Sequence, residues 1–133
     1  MQVDGLATVP SAHSAKATID RLESEVKSKG MTVFARIDHA AGAQAVGLAL
    51  RPTELLIFGN ARGGTPLMAA APTSGIDLPL KALAWQDADG KVWLSYDEPR
   101  WIADRHGASS QAAEVAQRLG AALAGLVKAA AGA

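Results

Sequence analysis

Residues 80–96 read LKALAWQDADGKVWLSY, two apolar runs joined by Asp87-Ala88-Asp89-Gly90. Gly90 suits the left-handed position that closes a short loop after a type I turn, so the segment reads as a β-hairpin. Placing Asp87 opposite Lys91 sets the register: Trp85 falls opposite Trp93, with Leu83 on the same face. Leu80, Ala82, Ala84, Val92 and Leu94 then share the other face, which is small and apolar enough to receive helices. A sheet with two apolar faces needs two covers.

Upstream, RPTELLIFGNARGGTPLM (51–68) holds a third strand, Glu54 to Phe58, whose apolar residues do not alternate. Such a run suggests an interior strand covered on both faces. Thr65 is a natural N-cap and Pro66 a natural first helical residue, which predicts a short helix to about Ala70, stopped by Pro72, with Thr73 to Leu78 as loop. Nearer the N-terminus, residues 3–9 read as a strand ending at Pro10. Ser11 or Ser14 caps a helix carrying Ile19, Leu22 and Val26, which Gly30 ends. From Met31 to Asp38 the residues alternate, with Met31, Val33, Ala35 and Ile37 on one face and Thr32, Phe34, Arg36 and Asp38 on the other. Asp38 then caps a short alanine-rich helix.

After the hairpin, Asp97 caps a short helix through Trp101 and Ile102, which Gly107 closes. Ser110 caps a long helix, about 110–130, with an apolar stripe of Val115, Leu119, Ala122, Leu123, Leu126 and Val127. The terminal Ala-Ala-Ala-Gly-Ala is expected to fray. Strands and helices without repeat or linker predict one α+β domain over residues 1–133.

Thirteen basic and thirteen acidic side chains cancel and are scattered, which argues against nucleic-acid and membrane-surface binding. Without cysteine there is no disulfide, thiolate metal site or thiol nucleophile. With no signal-like N-terminus and no apolar run long enough to span a bilayer, the expectation is a soluble cytoplasmic protein.

The blocks FARIDHAAGA, RPTELLIFGN, GTPLM, GIDLPLKALAW and VWLSY, in this order, resemble the domain-of-unknown-function 302 family over about residues 5–107. The resemblance implies a two-layer fold: a curved antiparallel sheet with helices on one face, in a β-α-β4-α order similar to TATA-binding-protein-like folds. It brings no function. Asn60-Ala61 stands where the family pattern has Asn-Pro, which implies a less rigid turn after the third strand.

Several residue groups could carry chemistry. Gly63, Gly64 and Thr65 lack the preceding lysine of a nucleotide-binding P-loop, but their N–H groups beside Arg62 could form an anion nest, or merely turn the chain into a helix. Arg36, Asp38 and His39 close the second strand. His39 beside a carboxylate could be a base or a metal ligand, or Asp38 could simply cap and His39 follow it. Glu54 could titrate, or pair with Arg51 or Arg36. Asn60 follows the same strand, and His106 reads as a residue complementing a helix dipole.

Two function classes follow. The leading one is a non-catalytic small-ligand-binding or assembly domain: a homodimer through Phe34, Leu83, Trp85 and Trp93, with a small polar or anionic ligand near Arg36, Asp38, His39, Glu54, Asn60 and Thr65. The other is a haem or metal protein, or an enzyme, with His39 as ligand or base and Asp38 or Glu54 assisting. Three scattered histidines without HxH or HExxH spacing do not make a protein-only zinc site. No cofactor is named by the residues, and whether there is any catalytic activity stays open at this level.

Overall fold

The computed structural model describes residues 2–133. Five strands, β1 (Leu6–Pro10), β2 (Thr32–Asp38), β3 (Thr53–Gly59), β4 (Leu80–Gln86) and β5 (Val92–Asp97), form one antiparallel open sheet in the order β1-β5-β4-β3-β2. Helix α1 (Ala15–Ser28) follows β1, and α5 (Ala113–Ala131) ends the chain. Three short helices fill the connections: α2 (His39–Ala45), α3 (Ala61–Ala70) and α4 (Pro99–Arg105). A 3-10 turn, Pro72–Ile76, occupies the stretch expected to be loop.

The hairpin takes the expected register. Trp85 stands opposite Trp93, Asp87 N–H donates to the Lys91 carbonyl at 2.8 Å, and Gly90 sits at φ +83°. The Asp87 carboxylate accepts from the backbone of Asp89 and Lys91 and from the Trp93 indole, which fastens the loop.

Alternation places Leu56, Phe58, Leu80, Ala82, Ala84, Val92 and Leu94 under α1 and α5, where they join Ile19, Leu22, Val26, Leu123, Leu126 and Val127 in the main core. Each Leu or Phe buried this fully contributes about 1.5–3 kcal/mol. Ser14 caps α1 through its Oγ, accepting from Ala17 N–H at 3.1 Å, and Asp38 caps α2 in the same way. A second cluster, Leu67 and Ile102 with five alanines, packs α3, α4 and the start of α5 together. Small side chains there let the helix backbones approach closely.

Five sequence expectations are corrected. β3 is interior in the sheet, but helices cover only its Leu56 and Phe58 side; Leu55 and Ile57 lie on the helix-free face, half-buried by their neighbours. β2 carries a bulge: Val33 pairs with Phe58 and Ala35 with Ile57, so Phe34 is the unpaired extra residue. The bulge reverses the alternation, sending Arg36 toward α1 and Ala35 and Ile37 to the helix-free face. Helix α3 begins at Ala61 under Asn60, not at Pro66 under Thr65, because the Asn60 side chain accepts from Gly63 N–H at 2.7 Å. Asp97 and Ser110 are not caps: α4 and α5 start after Glu98 and Ala112, without side-chain capping bonds.

The C-terminus is docked rather than frayed. Ala130 and Ala131 are buried, and Arg21 donates to the carbonyls of Ala129, Ala130 and Gly132. A cation at the negative end of α5 satisfies carbonyls that the helix leaves without partners.

Candidate functional site

The six residues expected around one ligand occupy two places. Arg36, Asp38, His39 and Glu54 lie toward one end of the β2–β3 pair, where Asp38 stands opposite Glu54. Asn60 and Thr65 lie beyond the other end of β3, about 20 Å away at the usual rise per strand residue. One small ligand cannot touch both.

At the first end Arg36 and Glu54 hold each other. Arg36 Nε donates to Glu54 Oε2 at 2.6 Å and Nη2 to Oε1 at 3.2 Å, a two-pronged pair across neighbouring strands. Its Nη1 reaches Asp20 at 2.7 Å and Glu23 at 3.3 Å on α1. Hydrogen bonding to Glu54 above all, and then to Asp20 and Glu23, pushes the guanidinium pKa up against the effect of burial. Lys16 and then Arg36 hold Asp20 below its ordinary value; Lys27 foremost, with Arg36 assisting, does the same for Glu23. Arg36, rather than Arg51, is therefore the partner of Glu54. Asp38 is engaged in capping α2, and His39, the first residue of α2, is exposed. Beside them a groove of about 490 Å³ runs between α1 and α2, its walls mostly apolar (Leu48, Leu50 and Pro52 among them) with Lys16, Asp38, Gln44, Thr53 and Glu54 as its polar groups. Among the described residues, no three His, Cys, Asp or Glu side chains are grouped to hold a metal ion.

At the second end the glycines face an apolar pocket. Gly63 N–H is bonded to the Asn60 side chain and Gly64 N–H to the Asn60 carbonyl, so two donors of the expected anion nest are already in use. Thr65 is exposed within α3. Phe34, expected beside the tryptophans, lines this pocket with Met31, Met68 and Leu78.

On the helix-free face, the Trp85 and Trp93 rings stack with centroids 6.2 Å apart. Trp85 Nε1 donates to Ser95 Oγ, and Trp93 Nε1 to Asp87 Oδ2. Both indole N–H groups are satisfied within the chain. The register extends the same face through Leu83, Leu55, Ile57 and Ile37.

One cluster escaped the sequence reading. His106 Nε2 lies 2.6 Å from Asp77 Oδ2, His106 Nδ1 lies 2.8 Å from Thr73 Oγ1, and Arg105 Nη1 reaches both Asp77 oxygens. His106 is thus a clamp from α4 to the 3-10 turn, beyond the helix-dipole role expected of it. Hydroxyl, imidazole and carboxylate stand in the series a nucleophile would use. Yet Thr73, Gly75 and Ile76 are all exposed on the same turn, so the hydroxyl stands on open surface. The only local signal was Asp77 inside GIDLP.

Residues 7–126 match the family described as Domain of unknown function DUF302. The chain belongs to the DUF302 family. A crystal structure of an uncharacterized conserved DUF302 protein from Bacillus stearothermophilus superposes with a TM-score of 0.84 at 21% identity, covering 96% of this chain and 99% of that one. That likeness shows the fold, the α+β sheet-and-helix layering expected of the family. Two Brucella proteins named fluoride-specific ion channel FluC 1, from Brucella suis biovar 1 (strain 1330) and Brucella abortus biovar 1 (strain 9-941), are each 55% identical to this chain over 111 residues. The match takes in 82% of this chain but 44% and 41% of those proteins. This DUF302 chain therefore spans less than half the length of the curated relatives it matches. Among its described residues, no helix is long and apolar enough to cross a membrane.

Proposed function

We propose that this DUF302 chain is a non-catalytic assembly domain, soluble and cytoplasmic, that forms a homodimer through its helix-free sheet face. The observation carrying this reading is β3: Leu55, Leu56, Ile57 and Phe58 form the unbroken apolar run of a strand covered on both faces, and the chain covers one. Leu83, Trp85 and Trp93 extend the uncovered side. Trp85 and Trp93 are half-buried and stack on each other, and with Leu55, Ile57 and Leu83 they leave a continuous, partly exposed apolar surface. With both indole N–H groups bonded internally, burial would strand no donor there. A two-fold axis lets one such patch cover its own copy. Phe34 falls outside this interface because of the bulge. The groove lined by Asp38 and Glu54 is the place this reading gives to a small polar or anionic ligand, with Lys16 on its wall as the cation.

Sedimentation equilibrium at micromolar concentration tests the assembly. A mass twice the 13.7 kDa of one chain is expected, falling to 13.7 kDa when Trp85→Ser and Trp93→Ser are combined. A wild-type monomer refutes the dimer; a dimer that survives both changes places the interface elsewhere.

The Brucella relatives favour a second reading, in which the domain is an accessory module of a membrane ion channel. They are named as fluoride channels, and more than half of each lies outside the matched region. The conducting part would then lie in that remainder, with the DUF302 portion attached beside the membrane. Fluorine NMR titration of this chain with sodium fluoride separates a sensor from a structural attachment: saturable broadening marks a sensor.

A further inference from the structure

We infer that the pocket between the β2 bulge and the start of α3 binds a small, neutral aromatic molecule, about the size of an indole ring. The pocket holds about 250 Å³ and is lined by Met31, Phe34, Met68, Leu78, Pro79 and Leu119, with the backbone of Gly63 and Gly64 forming one wall. No ionisable side chain lines it, so a charged ligand would lose its hydration without a partner. An apolar cavity of about 150 Å³ stays dry and takes a single benzene, so this volume suits a fused pair of rings. Two thioethers and a phenyl ring favour an aromatic guest over an aliphatic one, because sulfur and ring edges pack favourably against aromatic faces. Phe34, 56% exposed at the bulge, would gain cover from such a guest.

The two glycines supply an independent argument. Both lie inside α3, where glycine is the poorest helix former after proline, and neither has positive φ. Packing accounts for Gly63: a Cβ there would meet Leu119 Cδ2 at 3.0 Å and Asn60 Oδ1 at 3.2 Å. It does not account for Gly64, where a Cβ would meet only ordinary contacts, Met68 Cε at 3.6 Å and Leu78 Cδ1 at 3.8 Å. Those two atoms belong to pocket-lining residues. The missing side chain at 64 is thus one that would take up ligand space, which is how a helix wall keeps a pocket open.

Methionine methyl NMR with indole as the probe tests this. The Met31 and Met68 ε-methyl signals should shift saturably, with intermolecular NOEs from indole to both methyls and to the Phe34 ring. Gly64→Leu should weaken binding at least tenfold while leaving the melting temperature near that of wild type, and Gly64→Ala should weaken it less. Shifts that stay linear in indole, an unchanged affinity in Gly64→Leu, or NOEs to Trp85 and Trp93 instead would each overturn the inference. The NOEs are read on the wild-type protein, so the test stands even if the leucine variant does not fold.

Discussion

His106 Nε2 lies 2.6 Å from Asp77 Oδ2, tying the end of α4 to a turn 29 residues upstream. Burial alone would raise the Asp77 pKa, but hydrogen bonds from His106 and Arg105 outweigh it and hold the carboxyl below its usual 3.8. A depressed carboxylate pKa gives stability that is present above the unfolded value and lost as pH falls through the folded one. Asp77→Asn should cost about 2 kcal/mol at neutral pH, in line with hydrogen bonds to a charged group. Melting curves of wild type and variant should converge as pH falls through the lowered folded-state pKa of Asp77 and its carboxyl becomes neutral. A difference that persists there would show that shape, not charge, makes the clamp.

Arg36 and Glu54 should respond unequally to single changes. Arg36→Met leaves the buried Glu54 with no cation, whereas Asp20 and Glu23 keep Lys16 and Lys27. The expected loss is about 2–4 kcal/mol, since removing one partner of a largely buried pair strands the other charge. Glu54→Gln should cost less, about 1–2 kcal/mol, because Arg36 retains two carboxylates. The combination Arg36→Met with Glu54→Leu should recover more than half of the first loss; urea unfolding of all three variants measures it.

The caps of α3 are separable by substitution. Asn60→Ala should destabilise the protein by about 1 kcal/mol, as loss of an N-cap does. Thr65→Ala, exposed within the helix, should change stability by about 0.5 kcal/mol or less. The reverse order in thermal melts would return the helix start to Pro66.

His39→Ala should leave stability within about 0.5 kcal/mol of wild type, because the side chain is exposed. The purified protein should show no Soret band. A Soret band or stoichiometric metal that His39→Ala abolishes would replace the assembly reading with the cofactor one.

The sequence alone determined the hairpin register and the caps of α1 and α2, which depend on neighbours a few residues apart; the same signal misplaced the caps of α4 and α5. Period-two alternation and a glycine at the left-handed position place Trp85 against Trp93, since a one-residue slip would turn the core face of β4 outward. Ser14 and Asp38 cap their helices because a short polar side chain needs only the next turn's N–H groups. Tertiary structure decided the rest. Nothing local marks Phe34 as a bulge, Arg36 rather than Arg51 as the partner of Glu54, or Arg21 as the anchor of Ala130, because those pairings follow from how strands and helices stack. Asn60 takes the cap that Thr65 was suited for because α3 begins directly where β3 ends. Asp77 and His106 meet for the same reason: local pattern specifies which face of each element is apolar, and only packing those faces together brings distant polar groups into reach.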